Sequence, residues 1–191
     1  MGDVRRVVLF RGLNVGRSNR LTMAVLREVL EAAGCSGVRT HLQSGNAVLA
    51  TPAGEPDDAL AERLGTAVSE RTGGTVAAHV LRRSELRRAV DRTPFPEAGA
   101  APRTVHLFFL SDTPDGDAED RLAAVAAPSE SFVLDGRMLY LHAPDGIGRS
   151  KLVARVERLV GVAATARNVR TVAALLALAE DRDSADATED G

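Results

Sequence analysis

Two apolar runs of strand length, Val4–Phe10 and Thr104–Leu110, each open the same succession of elements. That repetition constrains the fold more than any other feature. Val4–Phe10 is a near-continuous run rich in Val and reads as a buried strand. Leu26, Val29, Leu30 and Ala33 then recur at helical spacing, with Gly34 placed to end the helix. Val38–Leu42 and Ala47–Ala50 are strands joined by a hairpin-type turn, Gln43-Ser44-Gly45-Asn46, whose Gly and Asn tolerate positive φ. After Pro52–Pro56, Asp57 or Asp58 is placed to cap a helix carrying Leu60, Leu64, Ala67 and Val68. Gly73-Gly74 ends it, Val76–Leu81 is a strand, and Ser84–Val90 adds a short helix.

The order then recurs. Thr104–Leu110 is a strand and Asp117–Ala126 a helix, while Ser131–Leu134 and Arg137–Leu141 form a hairpin on Asp135-Gly136. Leu152, Val153, Val156, Leu159 and Val160 make a helical stripe ended by Gly161. Ala163–Arg167 follows as a strand and Val169–Leu178 as an extra helix. Strand, helix, hairpin, helix, strand is the split βαβ arrangement. The expected fold is therefore α/β of the α+β type: two tandem ferredoxin-like βαββαβ units, each followed by an extra helix. The first unit spans 1–93, a Pro- and Gly-rich linker 94–102, the second unit 103–179, and an acidic tail with few large apolar residues, expected to be disordered, 180–191.

Composition narrows the function. A net charge of −2 argues against gripping nucleic acid by bulk electrostatics, and 3% aromatics with no Trp leave little for base stacking. Cys35 is the only cysteine, so no internal disulfide or cysteine metal cluster can form, and it reads as a small packing residue. The start has no signal-peptide pattern and the apolar runs are too short to span a bilayer, so a cytoplasmic protein without membrane partners is expected. His41, His79, His106 and His142 lie far apart in or beside strands and give no metal site.

Chemistry concentrates in loops. In the expected topology the loop after the first strand and the 43–46 hairpin lie at one end of the sheet, bringing Arg11, Asn14 and Arg17 toward Gln43, Ser44 and Asn46. In the second unit Asp145–Lys151 and the end of the last strand share an end, pairing Arg149, Ser150 and Lys151 with Arg167 and Asn168. Gly-Arg-Ser occurs at 16–18 and again at 148–150, each time shortly before a helix. Backbone N–H groups, a positive helix end and Arg or Lys favour phosphate or carboxylate. Neither loop has the Walker A or dinucleotide-fingerprint spacing, and neither Ser44 nor Ser150 sits in a nucleophile elbow, so no catalytic residue and no cofactor is assigned. The expected function is binding of a small anionic ligand, a nucleotide among the options. The alternatives are nucleic-acid binding, which ferredoxin-like sheets also serve, and a non-catalytic interaction module, dimeric through a strand edge. The oligomeric state is left open.

Arg11-Gly12-Leu13-Asn14-Val15-Gly16 with Asn19 and Met23, Gln43-Ser44-Gly45-Asn46, Gly148-Arg149-Ser150-Lys151-Leu152, and Ala164-Thr165-Ala166-Arg167-Asn168 before Thr171-Val172 resemble the bacterial family called domain of unknown function 1697 (DUF1697). The likeness runs from about Val4 to about Leu178. It implies an α/β protein with ferredoxin-like units and no established activity. Thr93 stands where the family tends to have Asn, and Val169 where an aromatic is common.

Overall fold

The computed structural model describes residues 3–15 and 19–181. The expected tail thus lies mostly outside the described residues. In chain order the elements are β1 (Asp3–Arg11), α1 (Met23–Ala32), β2 (Ser36–Thr40), β3 (Asn46–Pro52), α2 (Asp57–Thr72), β4 (Ala77–Arg82) and α3 (Arg83–Asp91). A one-turn α4 (Glu97–Ala100) falls in the expected linker. Then come β5 (Val105–Leu110), α5 (Ala118–Ala123), β6 (Ser131–Asp135), β7 (Met138–His142), α6 (Val156–Val160), β8 (Ala164–Asn168) and α7 (Val169–Glu180).

Two four-stranded sheets form, ordered β2-β3-β1-β4 and β6-β7-β5-β8, with every pairing antiparallel. The first strand of each repeat lies between the third and the fourth. The two sheets are thus the same ferredoxin-like arrangement, as the repeated succession of elements required. The chain divides into two compact units: residues up to Ser84 together with those from Ala174 on, and Glu85–Ala173.

In the first unit, Val8 and Phe10 of β1 and Ala47 and Leu49 of β3 meet Leu26 and Leu30 of α1 and Leu60, Leu64 and Val68 of α2 in one core. Val7 and Leu9, on the opposite face, are equally buried, which accounts for the unbroken apolar run. Cys35 is a buried free thiol whose pKa burial pushes up, against the opposing influence of Arg63, in keeping with a packing role. Residues from α7 complete the unit: the Arg5 guanidinium donates to the carbonyls of Ala179 and Asp181, and Arg39 pairs with the Asp181 carboxylate at 3.0 Å.

The start of α2 departs from expectation. Pro56 occupies the cap position with no side-chain hydrogen bond. The Asp57 carboxylate instead takes Arg6 Nε at 2.7 Å and Arg82 Nε at 2.9 Å. Arg6 points from β1 into the same face as Val8 and is only 6% exposed, so a carboxylate is worth more to it than to a helix end.

In the second unit, Phe108, Leu110, Leu139 and Leu141 pack against Leu122 of α5 and Val156, Leu159 and Val160 of α6. The single helix expected over 152–160 is broken: one-turn 3₁₀ segments at Ile147–Arg149 and Val153–Arg155 precede a five-residue α6. Ser150 Oγ takes the Val153 N–H at 3.0 Å, and the branched Val153 and Val156 weaken helix preference where the turn must tighten.

Candidate functional site

The first unit's two loops converge as the topology required. β1 leaves the sheet at the exposed Arg11, and Leu13 then turns back into the core. Asn14 adopts φ 55° and uses its whole amide on the backbone: Oδ1 accepts from Leu21 N at 2.8 Å, while Nδ2 donates to Leu21 O at 2.9 Å and Gln43 O at 2.7 Å. Asn19, at φ 52°, donates to Gly12 O and Thr75 O, each at 3.0 Å. Thr22 caps α1 by accepting from Val25 N at 3.3 Å.

Across from this loop, Asn46 is fully buried and donates to His41 O at 2.8 Å and Ser44 Oγ at 3.0 Å. Gly45 O accepts from Phe10 N at 2.8 Å, stitching the hairpin onto β1. A Cβ on Gly45 would lie 2.8 Å from Leu13 Cδ2 and 3.0 Å from Phe10 Cβ, and its φ is 73° besides, so glycine is required twice over. The positive φ expected at Asn46 falls on Leu42 instead, at 61°. Among the described residues the non-glycine positive-φ positions are Asn14, Asn19 and Leu42, all in this loop pair. Such conformations persist only where surrounding bonds hold them.

Of the six residues expected here, Asn14 and Asn46 face inward as framework, while Arg11, Gln43 and Ser44 are on the surface. Arg17 lies outside the described residues.

The second unit's loop is differently partnered. β7 runs into the buried Ala143, and Gly146, at φ 81°, returns its N–H to Ala143 O at 3.0 Å. The 3₁₀ turn and Ser150 follow, leaving Arg149 and Lys151 exposed. A cleft of about 420 Å³ separates this loop from Val125–Glu130, the connection between α5 and β6. Ser129 Oγ donates to Asp145 Oδ2 at 2.8 Å across it, and Glu130 Oε2 accepts from Ala127 N at 2.8 Å. Arg149 and Lys151 make no ion pair among the described residues. Because α6 has only five residues and follows 3₁₀ turns, its dipole adds little; the cations themselves are the positive feature.

Arg167 and Asn168 do not line this cleft. They are consecutive strand residues and point to opposite faces. Asn168 lies opposite His106, and its Oδ1 accepts from Thr171 N and Thr171 Oγ1, both at 2.9 Å, capping α7. Arg167 lies opposite Leu107 on the face that carries Tyr140, donates to Ala166 O at 2.7 Å, and has its pKa lowered by burial to about 10. Ser129, Glu130 and Asp145, which line the cleft, were not among the expected site residues. A meander sets the start of β6 beside the end of β7, so the connection entering β6 was the signal that could have found them. Val169, the departure beside Asn168, is 7% exposed and packs. His41 lends its backbone to the hairpin, and among the described residues no group of acidic, His and Cys side chains could hold a metal ion.

Ferredoxin-like units with ordered glycine and asparagine loops define the class, and residues 4–140 match the family model described as Protein of unknown function (DUF1697). The chain belongs to that family. Segments 148–152 and 164–168, which also carried the resemblance, lie beyond the matched residues. The chain is similar in structure to the conserved bacterial protein SP0830 from Streptococcus pneumoniae, at TM-score 0.68 and 20% identity over 93% of this chain and 99% of that one. At that identity the likeness speaks to the fold. No curated protein matches the chain.

Proposed function

We propose that this protein binds a small anionic ligand, one bearing a phosphate or carboxylate group, in the cleft of the second unit. One observation carries the reading: a preformed turn holds Arg149 and Lys151 at an open cleft of about 420 Å³, and neither is spent on an ion pair among the described residues. The volume falls within the roughly 300–1,000 Å³ of small-molecule sites. Ser150 holds the turn through Val153 N, so the ligand meets the two cations already in place. Arg11, Gln43 and Ser44, exposed on the loops of the first unit, carry side chains of the same chemistry. Asn14, Asn46 and Asn168 serve as framework, and Arg167 stands apart from the cleft. Among the described residues no helix is long and apolar enough to cross a membrane. We place the protein in the cytoplasm, in keeping with its single cysteine being a free buried thiol.

The test is thermal-shift screening against phosphorylated metabolites and nucleotides. A ligand at a hundred times its Kd adds about 2.7 kcal/mol, or roughly 5–10 °C for a chain of this size. Arg149→Ala and Lys151→Ala are expected to remove the shift while leaving the ligand-free melting temperature unchanged. A shift indifferent to both substitutions rejects the cleft as the site.

A further inference from the structure

On the reading that this cleft binds an anion, we infer that its ligand is a small amphoteric molecule. It carries a primary amine on the same compact skeleton as a single phosphate or carboxylate group. The cleft is lined by charges of both signs: Arg149 and Lys151, and with them Glu130 and Asp145. Among the described residues none of the four is in an ion pair. Opposite charges that share a cleft and leave one another alone suit a guest that brings both partners.

The carboxylates are placed as firmly as the turn. Asp145 has one oxygen held by the Ser129 hydroxyl, and Glu130 has one held by the Ala127 N–H. Among the described residues each has its second oxygen open to another donor. A polyanion would meet Arg149 and Lys151 only by also approaching two fixed negative charges. Between unit charges about 6 Å apart, at an effective dielectric between that of water and that of a protein surface, each such approach weakens binding roughly tenfold. An ammonium on the ligand turns the same approach into attraction.

The experiment is calorimetric titration of the full chain with O-phosphoethanolamine, inorganic phosphate and a nucleoside triphosphate. Wild type is expected to bind phosphoethanolamine about tenfold more tightly than phosphate, with the triphosphate no better than phosphate. The double variant E130Q/D145N still accepts from Ala127 and Ser129, so the loops stay in place. It is expected to lose the preference and to bind phosphate more tightly than wild type. Should the triphosphate bind wild type most tightly, in a Lys151-dependent manner, the amphoteric inference falls and the anion reading stands. Should no probe bind, or should Lys151→Ala change nothing, both fall.

Discussion

Replacing Asp57 by Asn is expected to be among the most damaging single changes in the first unit that leave its shape intact. Asp57 holds Arg6 and Arg82, whose side chains are 7% and 63% exposed, so its value lies almost wholly with Arg6. Arg6 is already under-satisfied, because its buried Nη1 has no hydrogen-bond partner among the described residues. Leaving a buried cation unpaired costs about 3–5 kcal/mol, and since Asp57 is itself partly exposed, the lower end, about 3 kcal/mol, applies. For a chain of this length that is roughly 6–12 °C in melting temperature.

The pH dependence sharpens the test. Burial alone would raise the Asp57 carboxyl, but the hydrogen bonds and charges of Arg6 and Arg82 outweigh it and hold the group below its ordinary value. A depressed carboxylate contributes stability that is present above the unfolded pKa, about 3.9, and lost as pH falls through the folded one. Urea denaturation should therefore show a constant gap between wild type and Asp57→Asn above about pH 5, narrowing below about pH 4. Arg6→Met with Asp57→Leu should recover most of the loss, since an apolar pair of similar volume asks for no partner. A loss under 1 kcal/mol at neutral pH, or a gap that widens in acid, would refute the assignment.

Three further outcomes are expected by the same assay. Gly45→Ala should cost about 2–4 kcal/mol, combining a positive φ with the clash against Leu13 and Phe10; a neutral effect would mean the hairpin does not sit on β1 as described. Leu42→Gly should gain up to about 1 kcal/mol, because Leu42 is 55% exposed and held at φ 61°; a loss would show that the leucine packs in solution. Asn168→Ala should cost about 1 kcal/mol and Asn168→Asp little, as for a helix cap; equal losses from both would count against capping.

The fold was legible because its signals are local. The apolar run Thr104–Leu110, the Asp135-Gly136 turn, and helices ended by Gly73 and Gly161 each follow from backbone chemistry within a few residues. The convergence of the two first-unit loops was legible for the same reason, since strand direction alone dictates it. What escaped depends on partners far along the chain. Asp57 reads as a cap until Arg6, 51 residues earlier, is seen to need it. Asn14 and Asn46 look like ligand contacts by residue type, yet the same amides are what a backbone held at positive φ requires. Arg167 and Asn168 share a strand end but not a face, a distinction set by the register against Leu107 and His106. The cleft opposite Arg149 and Lys151 depended on weighing the α5–β6 connection, whose Ala-Pro-Ser-Glu run carries no motif.

The bonds from Arg5 and Arg39 to Ala179 and Asp181 carry a consequence for synthesis. The first unit is assembled from both ends of the described chain, so a strand made early, β1, waits for a helix made much later, α7. The second unit, Glu85–Ala173, is continuous and can close before translation ends. In the nascent protein the order of completion is therefore the reverse of the order of sequence. Until Ala179 and Asp181 emerge, β1 and β2 go without these later contacts and are the segments most in need of a chaperone.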